Sequence, residues 1–469
     1  MSSVVRHPGK TFEFQVSVAI IGAGAAGLIA ALAAHEAGAE VLVLERDALP
    51  RGSTALSAGL IPAAGTRWQA AAGIADDPAT FAGDIMAKAH GEPDGAIVAR
   101  VTQEAGPALE WLAEAYGLPV SVITDFSYPG HSARRMHGLP TRSGEELIDA
   151  LRGAVERAEI PILCDALVTT LYTDAADRII GLAFTRPDGT VEEAGCDQLI
   201  LACNGYGGNK DLVAQHIPSL ATALYFGHPG NQGDALIWGE HLGAAARHLS
   251  GHQGHGSVAH PAGILITWAT ITEGGVQVNA LGQRFSNEAR GYSEQAAEVL
   301  RQPDGIAWTL FDGRIAAIAR QFEDFRQAEA GGAIVSAADW PQLATRISVP
   351  PDALAATMAA VAACKAGTAT DAFGRDFSAS ADLAGPFLAV KVTGALFHTQ
   401  GGLVVDQEAR VLAPDGTAFP NVFAAGGAAC GVSGAQAGGY LSGNGLLMAV
   451  ALGRIAGRAA GAAGRGQTA

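Results

Sequence analysis

A glycine-spaced segment near the N-terminus constrains the fold more than any other part of the sequence. Gly22, Gly24 and Gly27 follow an apolar run at 16–21 that is typical of a buried parallel strand. In such a segment the first glycine allows a tight turn, the second lets the backbone approach a pyrophosphate, and the third lets the next helix pack closely. A second strand ends at Glu45, where a carboxylate can accept hydrogen bonds from a ribose diol. The context predicts a βαβ unit that binds a dinucleotide, although this glycine spacing also arises by chance in glycine-rich chains.

Composition indicates a globular protein and argues against several kinds of partner and site. Of the 469 residues 49% are hydrophobic, which is enough for at least two packed cores. The formal net charge is −16 and no run of Lys and Arg occurs, so neither a nucleic acid nor an anionic membrane is expected as partner. The five cysteines are widely spaced without a CxxC pattern, so we expect neither a disulfide framework nor a metal site.

The apolar run at 446–456 is too short for a membrane span and is interrupted by Gly453 and Arg454. No signal peptide is recognised before Val16, so a cytoplasmic location is predicted. The patterns further predict helices at 96–116 and 143–158, strands within 166–202, a helix-rich stretch at 307–369, strands after 402, a last helix from near Ser442 and a frayed tail after Gly457.

Six further segments occur in an order that resembles a known family. In chain order they are RGSTALSAGLIPAAGT (51–66), DQLILACNGYGGN (197–209), NQGDAL (231–236), GQRFSNEA (282–289), FHTQGGLVVD (397–406) and NVFAAGG (421–427). Together they resemble the fumarate reductase/succinate dehydrogenase flavoprotein family, which includes the 3-ketosteroid dehydrogenases. The resemblance implies an α/β fold with a Rossmann-like FAD-binding domain formed by 15–249 and 398–465. It also implies an inserted α+β capping domain at 250–397.

The resemblance implies FAD as the cofactor and assigns its contacts. Ser53 and Thr54 match the loop that runs along the pyrophosphate and the flavin ring. Some relatives carry a His bonded covalently to FAD at the position of Ser53, so the serine predicts non-covalent FAD. Val168 matches a backbone contact to the adenine. The N–H groups of Ser442 and Gly443 would face flavin N1 and O2 and stabilise the reduced ring, a role compatible with an ordinary N-cap at Ser442. The resemblance also assigns to the FAD site Ala26, Arg46, Ser57, Gly59, Ala202 and Gly426.

The substrate-binding residues of fumarate reductases are matched only in part. By spacing, the proton-donating arginine, the relay glutamate and the relay arginine of those enzymes fall on Tyr292, Trp268 and Ile271. The segment at 435–445, which should hold a second carboxylate-binding arginine, contains none. The two substrate histidines fall on His255 and His398. The guanidinium clamp for a dicarboxylate is therefore not expected, unless an alignment slip brings Arg290 into the position of Tyr292.

A tyrosine at position 292 resembles the 3-ketosteroid dehydrogenases, in which RF-x-NE is followed by a catalytic Tyr. There the Tyr removes an α-proton from a ketone while flavin N5 takes hydride from the β-carbon; the alternative for Tyr292 is a core aromatic of the capping domain. His398 could bond the ketone oxygen and stabilise the enolate, or be a His satisfied by backbone groups. Tyr440 is a further candidate near the flavin edge. Arg135 could bind a substrate carboxylate or be a solvated surface arginine.

Three functions follow from these assignments. The leading one is an FAD-dependent dehydrogenase that desaturates the α,β-bond of a carbonyl compound, such as a 3-ketosteroid-like or oxocyclohexane-carboxylate-like cyclic ketone. The second is a reductase of an α,β-unsaturated carboxylic acid. The third is a flavin-binding electron-transfer module without substrate chemistry. No haem, iron–sulfur or FMN-carrier pattern is recognised, so reoxidation is expected to use oxygen, a quinone or an electron-transfer protein.

Overall fold

The computed structural model describes residues 2–125 and 127–464 and divides the chain into two compact units. Unit 1 comprises Met1–His216, Gly227–His252 and His398–Ala469. Unit 2 comprises Ile217–Phe226 and Gln253–Phe397. The ranges given above for a cofactor domain and a capping domain stay predictions, because compactness alone does not show what a unit binds.

The elements of the described residues are numbered in chain order. The strands are β1 Ser3–Arg6, β2 Gln15–Ile21, β3 Val41–Leu44, β4 Ile61–Pro62, β5 Ser121–Val122, β6 Met136–Gly138, β7 Ile162–Leu163, β8 Leu167–Thr173, β9 Ile179–Thr185, β10 Val191–Leu201, β11 Leu224–Tyr225, β12 Ala246–Arg247, β13 His252–Ala259, β14 Ile264–Leu265, β15 Val276–Val278, β16 Ile306–Asp312, β17 Ile334–Ala337, β18 Phe387–Thr399, β19 Gly402–Leu403, β20 Arg410–Leu412 and β21 Ala418–Ala424. The helices are α1 Ala25–Glu36, α2 Gly52–Ala55, α3 Arg67–Ala71, α4 Pro78–Lys88, α5 Gly95–Tyr116, α6 Gly144–Arg157, α7 Lys210–His216, α8 Asp234–Leu242, α9 Ala269–Thr272, α10 Tyr292–Leu300, α11 Gly313–Ala319, α12 Glu323–Ala330, α13 Trp340–Ile347, α14 Pro351–Lys365 and α15 Asn444–Gly464. Short 3-10 turns lie at Pro218–Leu220, Glu288–Arg290, Pro303–Gly305, Gly426–Ala428 and Ala437–Gly439.

The main sheet of unit 1 is built around the predicted βαβ unit. Strand β2 pairs in parallel with β3 on one side and with β10 on the other, which places Ile20 between Val43 and Ile200. The strand order is β1–β8–β9–β10–β2–β3–β7, and β21 joins the C-terminal end of β10. The apolar residues of β2 and β3 are buried, as expected of parallel strands covered on both faces. The predicted α/β fold with its Rossmann-like βαβ unit is confirmed.

Helix α15 packs on α1 through glycines. A Cβ added at Gly457 would lie 2.2 Å from the Ala30 carbonyl oxygen, so only a glycine allows this approach. The prediction of a frayed tail after Gly457 is wrong for 458–464, because the helix continues to Gly464; the rest of that tail, 465–469, lies outside the described residues. The helix is long and apolar enough to cross a membrane, but 67% of its most apolar window is buried inside the protein, as in a core helix. The cytoplasmic location stays a prediction.

Unit 2 is built on a sheet centred on β18. Strand β18 pairs antiparallel with β16 over seven residues, and the order is β14–β13–β18–β16–β15, with β11 and β17 also paired to β18. Val390 and Ala389 belong to different apolar clusters, because successive strand residues point to opposite faces. The stretch at 307–369, predicted as helix-rich, holds four helices but also most of β16 and all of β17.

Candidate active site

The structure explains each of the three glycines of the N-terminal motif differently. Gly22 has a φ of +104° and Gly27 packs so closely that an added Cβ would lie 1.8 Å from the Gly22 carbonyl oxygen. Both are required by the packing of the chain itself. Gly24 has a φ of −73°, and the nearest atom to an added Cβ is Thr54 Oγ1 at 3.5 Å. Since the described residues leave room for a side chain there, the glycine at position 24 fits a bound group that needs the space.

The acidic residue at the end of β3 is held by main-chain donors. Glu45 Oε2 accepts from the Ala23 amide at 2.8 Å and Oε1 from the Asp47 amide at 3.1 Å. Burial raises the pKa of Glu45, and these two hydrogen bonds oppose the rise. The Ala25 amide of α1 donates to Thr54 Oγ1 at 3.0 Å. The predicted ribose acceptor and the predicted pyrophosphate loop thus meet at the start of α1, in unit 1.

Ser53 is bound to a neighbouring loop of unit 1. Its Oγ accepts from Asn231 Nδ2 at 2.8 Å and from the His228 amide at 3.2 Å. Arg46 Nη1 donates to the Gly230 carbonyl oxygen at 2.7 Å and holds the same loop. Asn231 and His228 were not singled out from the sequence, although Asn231 begins the NQGDAL motif.

Other predicted cofactor residues lie at turns and buried strands of unit 1. Gly59 has a φ of +63°, and a Cβ there would lie 2.5 Å from the Ser143 carbonyl oxygen. Gly426 has a φ of +58° and lies against Ala26, whose Cβ is 3.0 Å from the position of an added Cβ. Internal packing therefore suffices to explain both glycines, and their contacts to a cofactor stay predictions. Of the remaining predicted residues, Val168 and Ala202 are buried. Ser57 Oγ donates a hydrogen bond to the Thr54 carbonyl oxygen at 2.7 Å.

The turn before α15 holds a buried hydrogen-bond acceptor that has no donor among the described residues. Gly443 has a φ of +89°, and a Cβ there would lie 2.7 Å from Pro62 Cδ. Asn444 is fully buried, and its Oδ1 has no hydrogen-bond partner among the described residues. An unsatisfied buried acceptor costs about 1–3 kcal/mol, so a bound donor would stabilise this turn. The open position at Gly24 and this acceptor both fit a bound dinucleotide such as FAD. His131, a residue that the sequence did not indicate, donates through Nε2 to the Ser442 carbonyl oxygen at 2.9 Å.

His398 lies at the end of β18 in a polar cluster of unit 1. Its Nδ1 is 3.1 Å from the Thr399 carbonyl oxygen, which can only accept. That contact favours a proton on Nδ1, whereas the nearer amide nitrogen Nε2 of Gln400 can only donate and favours a lone pair there. Gln400 Nε2 is 2.8 Å and 3.2 Å from the two ring nitrogens. Ser433 Oγ bonds both Gln400 Oε1 at 2.8 Å and Asn444 Nδ2 at 2.9 Å. Gln400 and Ser433 were missed from the sequence, although Gln400 is only two residues from His398.

Two further contacts define the surroundings of His398. The ring of Tyr440 meets it edge-on, with centroids 5.6 Å apart. A Cβ added at Gly445 would lie 2.8 Å from His398 Nε2, so the first turn of α15 packs directly on the ring. Burial lowers the pKa of His398 to about 4 and raises the pKa of Tyr440. Both side chains are therefore neutral at neutral pH.

An aromatic cluster in unit 2 brings together the other two predicted catalytic residues. The rings of His255 and Tyr292 stack with centroids 5.0 Å apart and an interplanar angle of 22°. Phe397 stacks on His255 at 5.4 Å, and Trp268 meets His255 edge-on at 5.6 Å. Burial lowers the pKa of His255 to about 3. Phe226 extends the cluster by stacking on Phe397 at 4.8 Å.

Tyr292 is only partly buried and is the first residue of α10. The N-terminus of a helix carries a partial positive charge, which stabilises an anion such as a phenolate. Trp268 and Ile271, at the positions of the relay residues, offer no charge, and Ile271 is fully buried. Arg290 is exposed at the end of a 3-10 turn. None of the residues at positions 268, 271 and 292 therefore supplies the cation that a dicarboxylate site needs.

Arg135 lies in the interior of unit 1. Its guanidinium is 2.9 Å from Asp76 Oδ1, also contacts Asp84, and lies 4.6 Å from the ring centroid of Phe81. The interpretation of Arg135 as a solvated surface arginine is wrong, because the residue is only 1% exposed. Two carboxylates balance its charge, so the contacts support a structural role and not the predicted binding of a substrate carboxylate.

The chain is similar in sequence to both reductases and dehydrogenases. A family model described as FAD binding domain matches residues 17–446. The probable fumarate reductase Ifc3 of Shewanella frigidimarina (strain NCIMB 400) is 29% identical over 462 residues, which cover 97% of this chain and 76% of that protein. The 4-oxocyclohexanecarboxylate 2-dehydrogenase of Sinomonas cyclohexanicum is 25% identical over 569 aligned residues, covering 98% of this chain and 96% of that protein.

Two solved structures share the fold. The open conformation of a flavocytochrome c3 fumarate reductase matches with a TM-score of 0.83 and 28% identity, covering 97% of this chain and 79% of that one. The 3-ketosteroid-Δ4-(5α)-dehydrogenase of Rhodococcus jostii RHA1 matches with a TM-score of 0.75 and 23% identity, covering 97% and 98%. At that identity the second match indicates the fold alone.

Proposed function

This chain belongs to the FAD binding domain family and is an FAD-dependent oxidoreductase of the fumarate reductase type, and from that membership we propose that it desaturates the α,β-bond of a cyclic ketone. The resemblance found in the sequence is thereby confirmed at the level of the family. The observation that carries the proposal is the aromatic cluster around Tyr292, which holds aromatic side chains where a dicarboxylate site needs cations. The similarity to a 4-oxocyclohexanecarboxylate dehydrogenase over nearly the full length of both chains supports it.

We propose that FAD is held in unit 1 by the start of α1, by Glu45, by the Ser53–Thr54 loop and by the turn at 442–444. Bound FAD supplies the acceptor for the hydride that leaves the β-carbon of the substrate. The negative phosphates of a dinucleotide would be favoured at the N-terminus of α1, where free amides and a partial positive charge meet. Glu45 is held in place by two amides, so its orientation does not depend on the ligand.

Tyr292 is the proposed base. Desaturation removes the α-hydrogen as a proton and the β-hydrogen with its electron pair, and a C=C bond forms between the two carbons. A phenolate at the N-terminus of α10 would take the proton, and the partial charge of the helix stabilises that phenolate. The charge that develops on the carbonyl oxygen needs a hydrogen-bond donor, for which His398, His255 and Tyr440 are the predicted candidates.

We propose that the electrons finally pass to an external acceptor. The sequence holds no CxxC pattern and only five widely spaced cysteines, which gives no support to an internal iron–sulfur or haem relay. We propose oxygen, a quinone or an electron-transfer protein as that acceptor, with a small molecule as substrate.

Reduction of an unsaturated acid is the second candidate, because a probable fumarate reductase is 29% identical to this chain. We expect succinate and fumarate to be poor substrates, since Tyr292, Trp268 and Ile271 stand where the charged residues are needed. The measurement is an anaerobic screen of flavin absorbance with cyclic ketones, keto acids and succinate, and of reduced enzyme with fumarate. Bleaching by cyclic ketones alone supports the desaturase. Rapid reoxidation by fumarate would overturn it and bring Arg290 back as the proton donor.

The attachment of FAD is predicted to be non-covalent. A serine hydroxyl at position 53 accepts hydrogen bonds from Asn231 and His228, and it cannot form the histidyl bond found in some relatives. Acid precipitation of the purified protein should therefore release all yellow colour into the supernatant. Flavin that stays in the washed pellet would contradict the prediction.

A further inference from the structure

We propose that His131 and Arg135 tune the redox potential of the flavin through the main chain. His131 donates a hydrogen bond to the Ser442 carbonyl oxygen and thereby strengthens the Gly443 amide as a donor, which raises the midpoint potential of the flavin. The inference rests on the proposed placement of FAD at the turn 442–444. It gives the buried Arg135 a positioning role in place of the predicted binding of a substrate carboxylate.

Two contacts determine which nitrogen of His131 carries the proton. Its Nε2 is 2.9 Å from the Ser442 carbonyl oxygen, which can only accept a hydrogen bond. Its Nδ1 is 3.4 Å from Nη1 of Arg135, and a guanidinium can only donate. Both contacts require the same neutral ring, with the proton on Nε2 and a lone pair on Nδ1. Burial lowers the pKa of His131 to about 4, so the ring is neutral at neutral pH.

Arg135 supplies the positive charge behind this ring. Its Nε and Nη2 donate to the two carboxylate oxygens of Asp76 at 3.0 Å and 2.9 Å, and its Nη1 contacts Asp84. The guanidinium is fully buried, so water and salt screen its charge only weakly. Among the charges near His131, Arg135 lowers the pKa of the ring more than either Asp84 or Asp76 raises it. A cation at Nδ1 polarises the ring and strengthens the N–H group at Nε2 as a donor.

One peptide group carries this effect to the proposed flavin site. The Ser442 carbonyl and the Gly443 N–H belong to the same planar unit, so a donor on the oxygen makes the N–H a stronger donor. Burial raises the pKa of Tyr440, and hydrogen bonding from the Gly443 and Gly445 amides opposes that rise. The Gly443 amide therefore faces Tyr440, the residue predicted near the flavin edge. Negative charge that develops on flavin N1 and O2 during reduction would be stabilised by the stronger donor.

Packing holds His131 and the turn in this arrangement. A Cβ added at Gly130 would lie 2.8 Å from Leu441 Cδ1, so the residues just before His131 and Ser442 are in direct contact. The ring of Phe81 lies beside both members of the pair, with its centroid 6.1 Å from that of His131 and 4.6 Å from the guanidinium carbon of Arg135. Close packing on these sides limits the motion of the donor relative to the carbonyl group.

The test is the midpoint potential of the FAD-loaded protein, measured by anaerobic reduction with dithionite against reference dyes. His131→Phe keeps an aromatic ring but removes the donor. We expect reduced flavin to lose about tenfold more affinity than oxidised flavin, roughly the effect of one lost hydrogen bond. For two electrons this corresponds to a fall of about 30 mV in the midpoint potential. His131→Gln returns an N–H group near the position of Nε2 and should recover most of the loss.

Asp84→Asn should shift the potential in the opposite direction. The asparagine keeps the size and one acceptor oxygen of the aspartate but removes a negative charge beside Arg135, so the midpoint potential should rise above that of wild type. A role in packing alone gives no reason for shifts that follow the sign of the charge. His241→Phe, the same change as at position 131 but at an exposed residue of α8, is the matched control and should keep the wild-type potential.

Flavin content and circular dichroism verify the fold of each variant. Wild-type potentials in both His131→Phe and Asp84→Asn would overturn the inference, and so would a fall in both. If His131→Phe lost its flavin, the sign of the shift in Asp84→Asn would decide alone. None of these measurements needs a substrate. A failure of every ketone to reduce the flavin would therefore count against the desaturase and leave this inference standing.

Discussion

Replacement of Tyr292 by phenylalanine should slow reduction of the flavin by roughly two to four orders of magnitude, the usual contribution of a positioned acid–base group. Phenylalanine retains the ring that stacks on His255 and meets Trp268 edge-on, so the cluster should keep its packing. Substrate should therefore still bind with little change in affinity, and the loss should lie in the rate of the chemical step. Stopped-flow reduction with a ketone found in the screen measures both quantities.

The pH profile gives a second readout for the same variant. A base must be deprotonated to act, so wild-type reduction should accelerate with pH through an ionisation that Tyr292→Phe lacks. Tyr172→Phe removes a hydroxyl that donates to Glu193 at 2.7 Å on unit 1 and is the matched control, with wild-type rates expected. If Tyr292→Phe reduced the flavin at the wild-type rate, Tyr292 would be an aromatic of the cluster without a catalytic role, and the desaturase would lose its proposed base.

Replacement of Gly24 by valine should weaken FAD binding so strongly that the protein purifies without flavin and without redox activity. The nearest atom to a Cβ at this position is 3.5 Å away, so the variant should fold. Its side chain would occupy the space beside the first turn of α1 where the backbone must approach the pyrophosphate. We expect FAD affinity to fall at least about a hundredfold, which corresponds to roughly 3 kcal/mol. The measurements are the flavin content after purification and the FAD-dependent rise in melting temperature.

Two other glycines give this experiment its controls. Gly95→Val places the same side chain at the start of α5, where nothing lies within 4 Å of an added Cβ, and it should bind FAD normally. Gly27→Val should fail to fold, because its Cβ would lie 1.8 Å from the Gly22 carbonyl oxygen. Gly24→Val that purified with a full complement of FAD would show that the βαβ unit does not hold the pyrophosphate.

Elements that depend on local interactions were predictable from the sequence. The strand–glycine–helix–strand unit was found within a residue or two of its observed bounds, at Gln15–Ile21, Ala25–Glu36 and Val41–Leu44. Its signals are a short apolar run, three closely spaced glycines and a small-residue helix, all of which lie within some thirty residues. Helices α5 and α6 were also located correctly, because Asp94 and Ser143 cap their first turns.

Elements that depend on distant partners were not predictable. Helix α15 continues past Gly457 because packing against Ala30 offsets the cost of interior glycines, about 1 kcal/mol each. Arg135 is buried because Asp76 and Asp84, more than fifty residues earlier in the sequence, balance its charge.

The sequence alone determined the family, the nucleotide-binding unit and the identity of the candidate residues, because motif order and residue type are local information. Only the tertiary structure placed His255 against Tyr292, 37 residues apart in the chain, and placed the Ser257 amide 3.2 Å from Nδ1 of His255. The sequence does not show which tautomer a histidine adopts. The amide that faces Nδ1 of His255 leaves the proton of the neutral ring on Nε2, and that contact depends on how β13 is folded.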